Sequence, residues 1–438
     1  MKNRFLIALL LILPYFSFAQ QLNIKGLDSL FTVLKSNDKF MGTFAIAVNG
    51  KSVFSRAIGF RDIETQQIAS IESKYRIGSI SKIFTATLVM KAIEEHKINL
   101  NQALNTFFPL VKNNEKITIA NLLSHRSGIH NLTSLPDFMQ WNTQKKSREE
   151  LVKIIADAGS DFEPGTKYAY SNSNYILLTF ILETVYKKSF SELLNAKIIK
   201  PLKLGNTYVG TKINLNANEA NSYGFDKGWK KEPETDMSIP LGAGAIVSTV
   251  MDLNTFMFAL IENKIVSAAS LKQMETMTDG YGLGIKSFYY HDKLGFGHTG
   301  GIDGFSSILG YFPTNKISIA VLSNGNEFSN MKLMLSGLDA VYGNPISIPN
   351  FKTIDLKPED LEPYLGVYAA ENFPFKITVS KKDNRLFTQA TGQTEIQMDA
   401  TAKDRFEFSA AGIVLEFRPN EKTMILNQSG KSFTLKKP

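Results

Sequence analysis

Three short residue groups in this chain of 438 residues have types and spacings suited to nucleophilic chemistry: Ser79-Ile80-Ser81-Lys82, Tyr170-Ser171-Asn172 and His298-Thr299-Gly300. On a helix, residues i and i+3 share a face, so Lys82 can bring its amine to the Ser79 hydroxyl. A serine alone is a poor nucleophile and needs a neighbour to take its proton. A lysine does that only where burial or nearby cations lower its pKa toward neutrality. A tyrosine hydroxyl beside that amine can share the proton, and an asparagine amide can hold a substrate carbonyl or orient the lysine. The glycines around His298 let a strand backbone approach a ligand closely, with His298 and Thr299 presenting polar groups to it. Each group also has an ordinary reading. Ser79…Lys82 describes a plain helix start with a solvated lysine, and Ser36…Lys39 and Ser329…Lys332 repeat its spacing. Tyr342-Gly343-Asn344 repeats the second pattern, and the third fits a glycine-rich bend with a satisfied histidine.

The surrounding pattern predicts the elements that position these groups. Tyr75 to Gly78 reads as an extended segment ending in a glycine, and Ile83 to Met90 as a buried helix with Ser79 in its first turn. That helix start offers free N–H groups and a partial positive charge where an oxyanion could form. A Pro164-Gly165 turn delivers Tyr170 just ahead of a helix running from Asn172 to Val185. Other predicted helices cover Leu27 to Leu34, a stretch opening at the capping-box pattern Ser147…Glu150, Asp252 to Glu262 and Asn330 to Val341. Predicted strands cover Phe44 to Val48 and Ser52 to Ile58, joined by an Asn49-Gly50 turn, then Gly282 to Tyr290, Ser306 to Phe312 and Ile317 to Leu322. Strands at both ends with helices between them imply one α+β domain whose sheet joins the two ends. Beyond the Asn344-Pro345 and Ile348-Pro349 punctuation lie seven short alternating segments between Lys376 and Leu435, which read as a small all-β barrel or sandwich. The expected division is 1–19 signal peptide, 20–343 first domain, 344–352 linker and 353–438 small β-barrel.

Composition narrows the setting. Lys2 and Arg4, the apolar run Phe5 to Leu13 and the small residues Ser17-Phe18-Ala19 form an export signal, with Gln20 as the expected mature start. No segment reaches the ~18–20 apolar residues of a membrane-spanning helix. The chain has no cysteine, so disulfides and a cysteine-borne lipid anchor are both excluded. A periplasmic or secreted protein is expected. The formal charge of +8 falls by two when the signal leaves, and it is spread along the chain, so nucleic-acid binding is not indicated. Five scattered histidines give no metal constellation, and neither a metal nor a cofactor is expected. His125 and His130 lack the spacing of a helical zinc pair, and His125 reads as a hydrogen-bonded structural residue. No Gly-x-Ser-x-Gly elbow and no Walker-type phosphate loop is present.

Taken in order, the three groups resemble the motifs of the serine β-lactamase and penicillin-binding-protein superfamily. The likeness is to its class C β-lactamase and DD-peptidase branch, where the middle motif is Tyr-x-Asn. Leu122-Leu123-Ser124-His125-Arg126-Ser127-Gly128, Phe162-Glu163-Pro164-Gly165 and Gly282-Leu283-Gly284 resemble its framework segments. The resemblance spans roughly residues 24 to 342, and the tail resembles a lipocalin-like barrel appended to some members. It implies an antiparallel sheet flanked by helices plus an all-helical region. It also implies Ser79 as nucleophile, Lys82 and Tyr170 managing its proton, and catalytic participation of His298. The oxyanion hole would be the N–H groups of Ser79 and Gly301, with Asn172, Thr299 and Gly300 holding substrate.

An exported serine hydrolase acting through an acyl-enzyme on an amide or ester is therefore expected. The expected substrate is a D-alanyl peptide, as for a DD-carboxypeptidase, or a small ester. A peptidoglycan stem peptide is one candidate, and nothing in the sequence fixes the oligomeric state. The alternatives are a β-lactamase, or a catalytically weak binding or sensor protein for wall peptides or β-lactams. Most β-lactamases carry lysine where this chain has His298; a histidine titrates near ~6.5, so His298 is expected to shape the pH–rate profile. Loops 131–143 and 209–240 are expected to line the cleft. Lys286 reads as a plain surface lysine, with attraction of a substrate carboxylate as its other reading.

Overall fold

The computed structural model describes residues 22–408, 411–428 and 431–437. The expected signal peptide lies outside them. Among the described residues no helix is long and apolar enough to cross a membrane.

The elements that build the site follow in chain order. Helix α1 (Ile24–Ser36) precedes strands β1 (Phe40–Val48) and β2 (Lys51–Ile58). Next come β3 (Tyr75–Arg76), helix α2 (Ser81–Glu94), the short α3 (Ile119–Leu123), α4 (Arg148–Ala158) and α5 (Asn172–Tyr186). Then follow β4 (Ile246–Ser248), α6 (Val250–Ile261), β5 (Lys286–Tyr290), β6 (Lys293–Ile302), β7 (Phe305–Phe312), β8 (Ile317–Asn326) and α7 (Asn330–Tyr342).

One antiparallel sheet in the order β5-β6-β7-β8-β1-β2 joins the early strands to the late ones, as the strand distribution predicts. Asn49 and Gly50 both take positive φ, 52° and 73°, which is the two-residue turn that Asn-Gly favours. The central strands are covered on both faces, so their sequences are continuously apolar rather than alternating. Phe44, Ile46, Ile319 and Val321 pack with α1 and α7, while Ala45, Ala320 and Leu322 join α6 and the helical region behind it. Helix α2 buries eleven of its fourteen residues, Lys82 among them, so it runs through the interior of the domain. The Ser147–Glu150 capping box forms at the head of α4.

Two boundaries differ from expectation. The strand predicted from Gly282 starts only at Lys286. Gly284, at φ +81°, lies so close over α2 that an added Cβ would meet the Ala86 methyl at 2.3 Å, so this segment is a tight crossing. In the tail, the seven predicted segments become strands, and Gly366–Tyr368 adds a first one too short to show alternation. The eight strands form a consecutive antiparallel meander, and a bridge between Ala369 and Lys436 nearly closes it into a barrel. Its interior is filled by residues such as Leu386, Met398, Phe406, Phe417 and Met424.

Candidate active site

Ser79 sits in a single 3-10 turn, Gly78–Ile80, that runs into α2, one turn earlier than the α-helix proper. Gly78 makes that turn possible. It takes φ +50°, and a Cβ there would stand 2.8 Å from the Gly301 nitrogen on β6. Ile77 donates its N–H to Ile246 O at 3.0 Å and receives the Ser307 hydroxyl at 2.9 Å, which stitches the turn between β4 and β7. The first N–H groups of such a turn have no intrahelical partners, and the Gly301 backbone comes alongside them. Ser79 and Gly301 both line a cavity of about 430 Å³.

Lys82 is fully buried. Its Nζ lies 2.9 Å from Ser79 Oγ, 2.8 Å from Asn172 Oδ1 and 2.7 Å from the Ala243 carbonyl. Burial, reinforced by the nearby Lys286 cation, holds the amine well below the usual lysine range. A neutral amine has two N–H donors and one lone pair. The asparagine oxygen and the Ala243 carbonyl take the donors, and the lone pair faces the serine hydroxyl. Tyr170 donates its hydroxyl to Ser79 Oγ at 2.7 Å, and burial pushes its own pKa up, so it keeps its proton.

Asn172 is held in one orientation. Its Nδ2 donates to Asn131 Oδ1 and Thr133 Oγ1, at 3.3 and 3.2 Å, which leaves Oδ1 for Lys82. Of the two readings of this residue, the structure displays the lysine-orienting one. Thr299 and Gly300 lie half-buried on β6, and Gly300 packs so tightly that a Cβ would meet Ile77 O at 2.1 Å.

His298 departs from expectation. It is 1 % exposed, its Nε2 lies 3.1 Å from the Tyr281 hydroxyl, and its Nδ1 faces the Thr299 carbonyl. Burial first, then Lys286 and Lys82, hold the imidazole well below its ordinary value, so it stays neutral where a free histidine titrates. The expected His298 limb of the pH–rate profile is thereby corrected. The plain-surface reading of Lys286 is corrected too: it is half-buried, with its Nζ 5.5 Å from the centre of the Tyr170 ring. Burial lowers its pKa, and among the described residues no carboxylate pairs with it.

His125 is the structural residue expected, buried with Nδ1 accepting the Ser171 N–H at 3.1 Å. Both predicted loops line the cavity, through Thr133, Met139 and Thr143 on one side and Thr235, Ile239 and Pro240 on the other. An open groove of about 980 Å³ continues from it, sharing Thr143, Glu232, Pro233 and Thr235. Sequence reasoning missed the Ala243 carbonyl, which carries no side-chain signal, and Tyr281, which adjoins the Gly282-Leu283-Gly284 segment. Among the described residues no group of histidines and carboxylates could hold a metal ion.

Comparison with known proteins agrees with this geometry. The family model described as Beta-lactamase matches residues 28–339. The chain is 24 % identical to a penicillin-binding protein of Bacillus subtilis, over 93 % of this chain and 97 % of that one. It is 28 % identical to a teichoic acid D-alanine hydrolase of Staphylococcus aureus, over 53 % and 57 % respectively. A D-stereospecific amidohydrolase from a Streptomyces species superposes with a TM-score of 0.61 at 27 % identity, over 68 % of this chain and 94 % of that one.

Proposed function

This chain belongs to the beta-lactamase family, and on that premise we propose that it is an exported hydrolase that releases D-alanyl groups through an acyl-enzyme on Ser79. The observation that carries the reading is the neutral Lys82 amine 2.9 Å from the Ser79 hydroxyl, with Tyr170 bonded to the same oxygen. Ser79 Oγ attacks the substrate carbonyl carbon as its proton passes to Lys82 Nζ. The oxyanion so formed lies against the Ser79 and Gly301 N–H groups; one such donor typically contributes ~2.7–4 kcal/mol to the transition state. Collapse breaks the amide or ester bond. The leaving nitrogen or oxygen takes a proton from Tyr170, and the proton held by Lys82 passes to the Tyr170 oxygen. Water then enters, gives a proton to Lys82 and attacks the acyl carbon, and Lys82 returns that proton to Ser79 Oγ as the acyl-serine bond breaks.

Two features support a D-alanyl substrate. Relatives with stated activities include a teichoic acid D-alanine hydrolase and a D-stereospecific amidohydrolase. Lys286 is a half-buried cation with no carboxylate partner among the described residues, so a terminal carboxylate on the substrate would supply a counter-charge. The groove beside the cavity leaves room for the rest of a peptide or polymer. Lys286→Ala is therefore expected to raise KM roughly tenfold for a peptide ending in D-Ala-D-Ala, the size of one lost charged hydrogen bond, and to leave a D-alanyl aryl ester within about twofold. Equal losses on both substrates would remove the carboxylate role.

The deciding experiment is acyl-enzyme trapping followed by mass spectrometry. The protein is quenched during turnover of a D-Ala-D-Ala peptide, a D-alanyl ester and a cephalosporin. An adduct on the peptide containing Ser79, with faster turnover of the D-alanyl substrates, is expected. Faster cephalosporin turnover would make it a β-lactamase. No adduct with any of them would make it a binding protein.

A further inference from the structure

Behind Tyr170 lies a line of hydrogen bonds that the reaction scheme does not use. The Ser171 N–H donates to His125 Nδ1 at 3.1 Å. His125 Nε2 stands 3.2 Å from the Tyr281 hydroxyl, and that hydroxyl stands 3.1 Å from His298 Nε2. His298 Nδ1 faces the Thr299 carbonyl. The line thus runs from the Tyr170–Asn172 loop to the strand that carries Gly301.

Its two ends have fixed polarity, because a backbone N–H can only donate and a carbonyl can only accept. Receiving Ser171 makes Nδ1 of His125 the bare nitrogen, so Nε2 carries the proton and donates to the Tyr281 oxygen. Two acceptors lie within reach of the Tyr281 proton, His298 Nε2 and the Tyr175 oxygen. The other end decides between them: the Thr299 carbonyl takes the proton on His298 Nδ1, so Nε2 is bare and accepts from Tyr281. The surroundings agree: Lys82, Lys286 and the phenols of Tyr168, Tyr170 and Tyr175 face this line, and among the described residues no carboxylate does that would favour an imidazolium.

We propose that Tyr281 and His125 are positioning residues that hold His298 as its neutral Nδ1–H tautomer, and that this tautomer pins the Thr299 carbonyl so that Gly301 stands opposite Ser79. The inference rests on the hydrolase reading above. It makes the histidine of the third motif a fixed dipole. It also makes lysine a poor substitute here, since a donor-only ammonium at this position would force Tyr281 to accept from both sides.

Nitrogen NMR on the intact wild-type protein labelled in its five histidines, with His298 assigned by the loss of its signals in His298→Asn, tests the tautomer without any substrate. His298 is expected to remain neutral and Nδ1-protonated throughout the range where a free imidazole titrates. Tyr281→Phe removes the donor to Nε2, so the neutral form loses that hydrogen bond and the His298 pKa moves upward. The kcat of Tyr281→Phe is expected to fall roughly tenfold, the size of one lost hydrogen bond, with KM within about twofold and a new acid limb in the pH profile. An Nε2-protonated or cationic His298 in the wild type overturns the proposal. So does a Tyr281→Phe protein with wild-type kcat and pH profile. The wild-type spectrum stands even if Ser79 proves unreactive, so failure of the hydrolase reading is read separately.

Discussion

Lys82→Ala is expected to lower kcat/KM by about 10²–10⁴, the range for loss of a positioned general base, and Lys82→Arg is not expected to restore it. The second variant decides what the residue does. Arginine keeps a cation in the same pocket but never gives up its proton at accessible pH, so it cannot accept one from Ser79. The two remaining donors of a neutral Lys82 are already committed to Asn172 and Ala243, which leaves the lone pair as its only chemical resource toward the serine. Burial lowers the Lys82 pKa, so the working neutral form is present above that lowered value and is lost as pH falls through it. Activity should follow the same acid limb. Removing the nearby positive charge in Lys286→Ala raises the Lys82 pKa, and the limb should move to higher pH. Profiles of kcat/KM on a D-alanyl ester, from acid to alkaline pH, check all three statements. An Lys82→Arg enzyme with near wild-type activity, or a limb that stays put in Lys286→Ala, would mean that Lys82 acts as a charge and not as a base.

The parts of this site that the sequence shows are those encoded in local pattern. Ser79 and Lys82 are legible because i, i+3 spacing on a buried helix brings the two together whatever surrounds them. The Asn49-Gly50 hairpin and the Ser147…Glu150 cap are legible for the same reason. What is not legible depends on burial by distant segments. Lys286 reads as a surface lysine from its neighbours in sequence, and it is the crossing of Tyr281–Gly284 over α2 that turns it toward Tyr170. His298 reads as a group titrating near neutrality because its type says so. Burial, with Lys286 and Lys82 nearby, is what holds its pKa down. The Ala243 carbonyl, a ligand of Lys82, is a backbone atom that any residue could supply.

Arg76 is the strongest case of such hidden order, and Arg76→Ala is expected to destabilise the hydrolase region by about 3–5 kcal/mol, the cost of leaving a buried charge without its partner. The guanidinium is 2 % exposed and the Asp303 side chain 4 %, although the Asp303 backbone faces solvent. Nη1 donates to Asp303 Oδ2 at 2.9 Å and to Thr235 O at 3.1 Å, while Nη2 donates to Glu234 Oε2 and Thr211 O, both at 3.0 Å. Asp303 also receives the Thr235 N–H and hydroxyl. One side chain on β3 therefore ties together both ends of the 209–240 loop and the turn after β6. Asp303 is two residues from Gly301, and Arg76 is three residues from Ser79, so the pair holds both halves of the oxyanion site in register. Arg76→Met with Asp303→Asn removes both charges together and should cost less than the sum of the single variants, by ~1–3 kcal/mol of coupling. Tryptophan fluorescence in urea reads this without interference from the barrel, because the two tryptophans of the chain, Trp141 and Trp229, both precede it. Asp303→Asn should lower kcat more than it raises KM, since it frees the turn that follows Gly301 and loosens the Thr235 wall of the cavity beside it. Strictly additive unfolding energies would show that the charges act separately, and an unchanged kcat would show that Gly301 is held by the sheet alone.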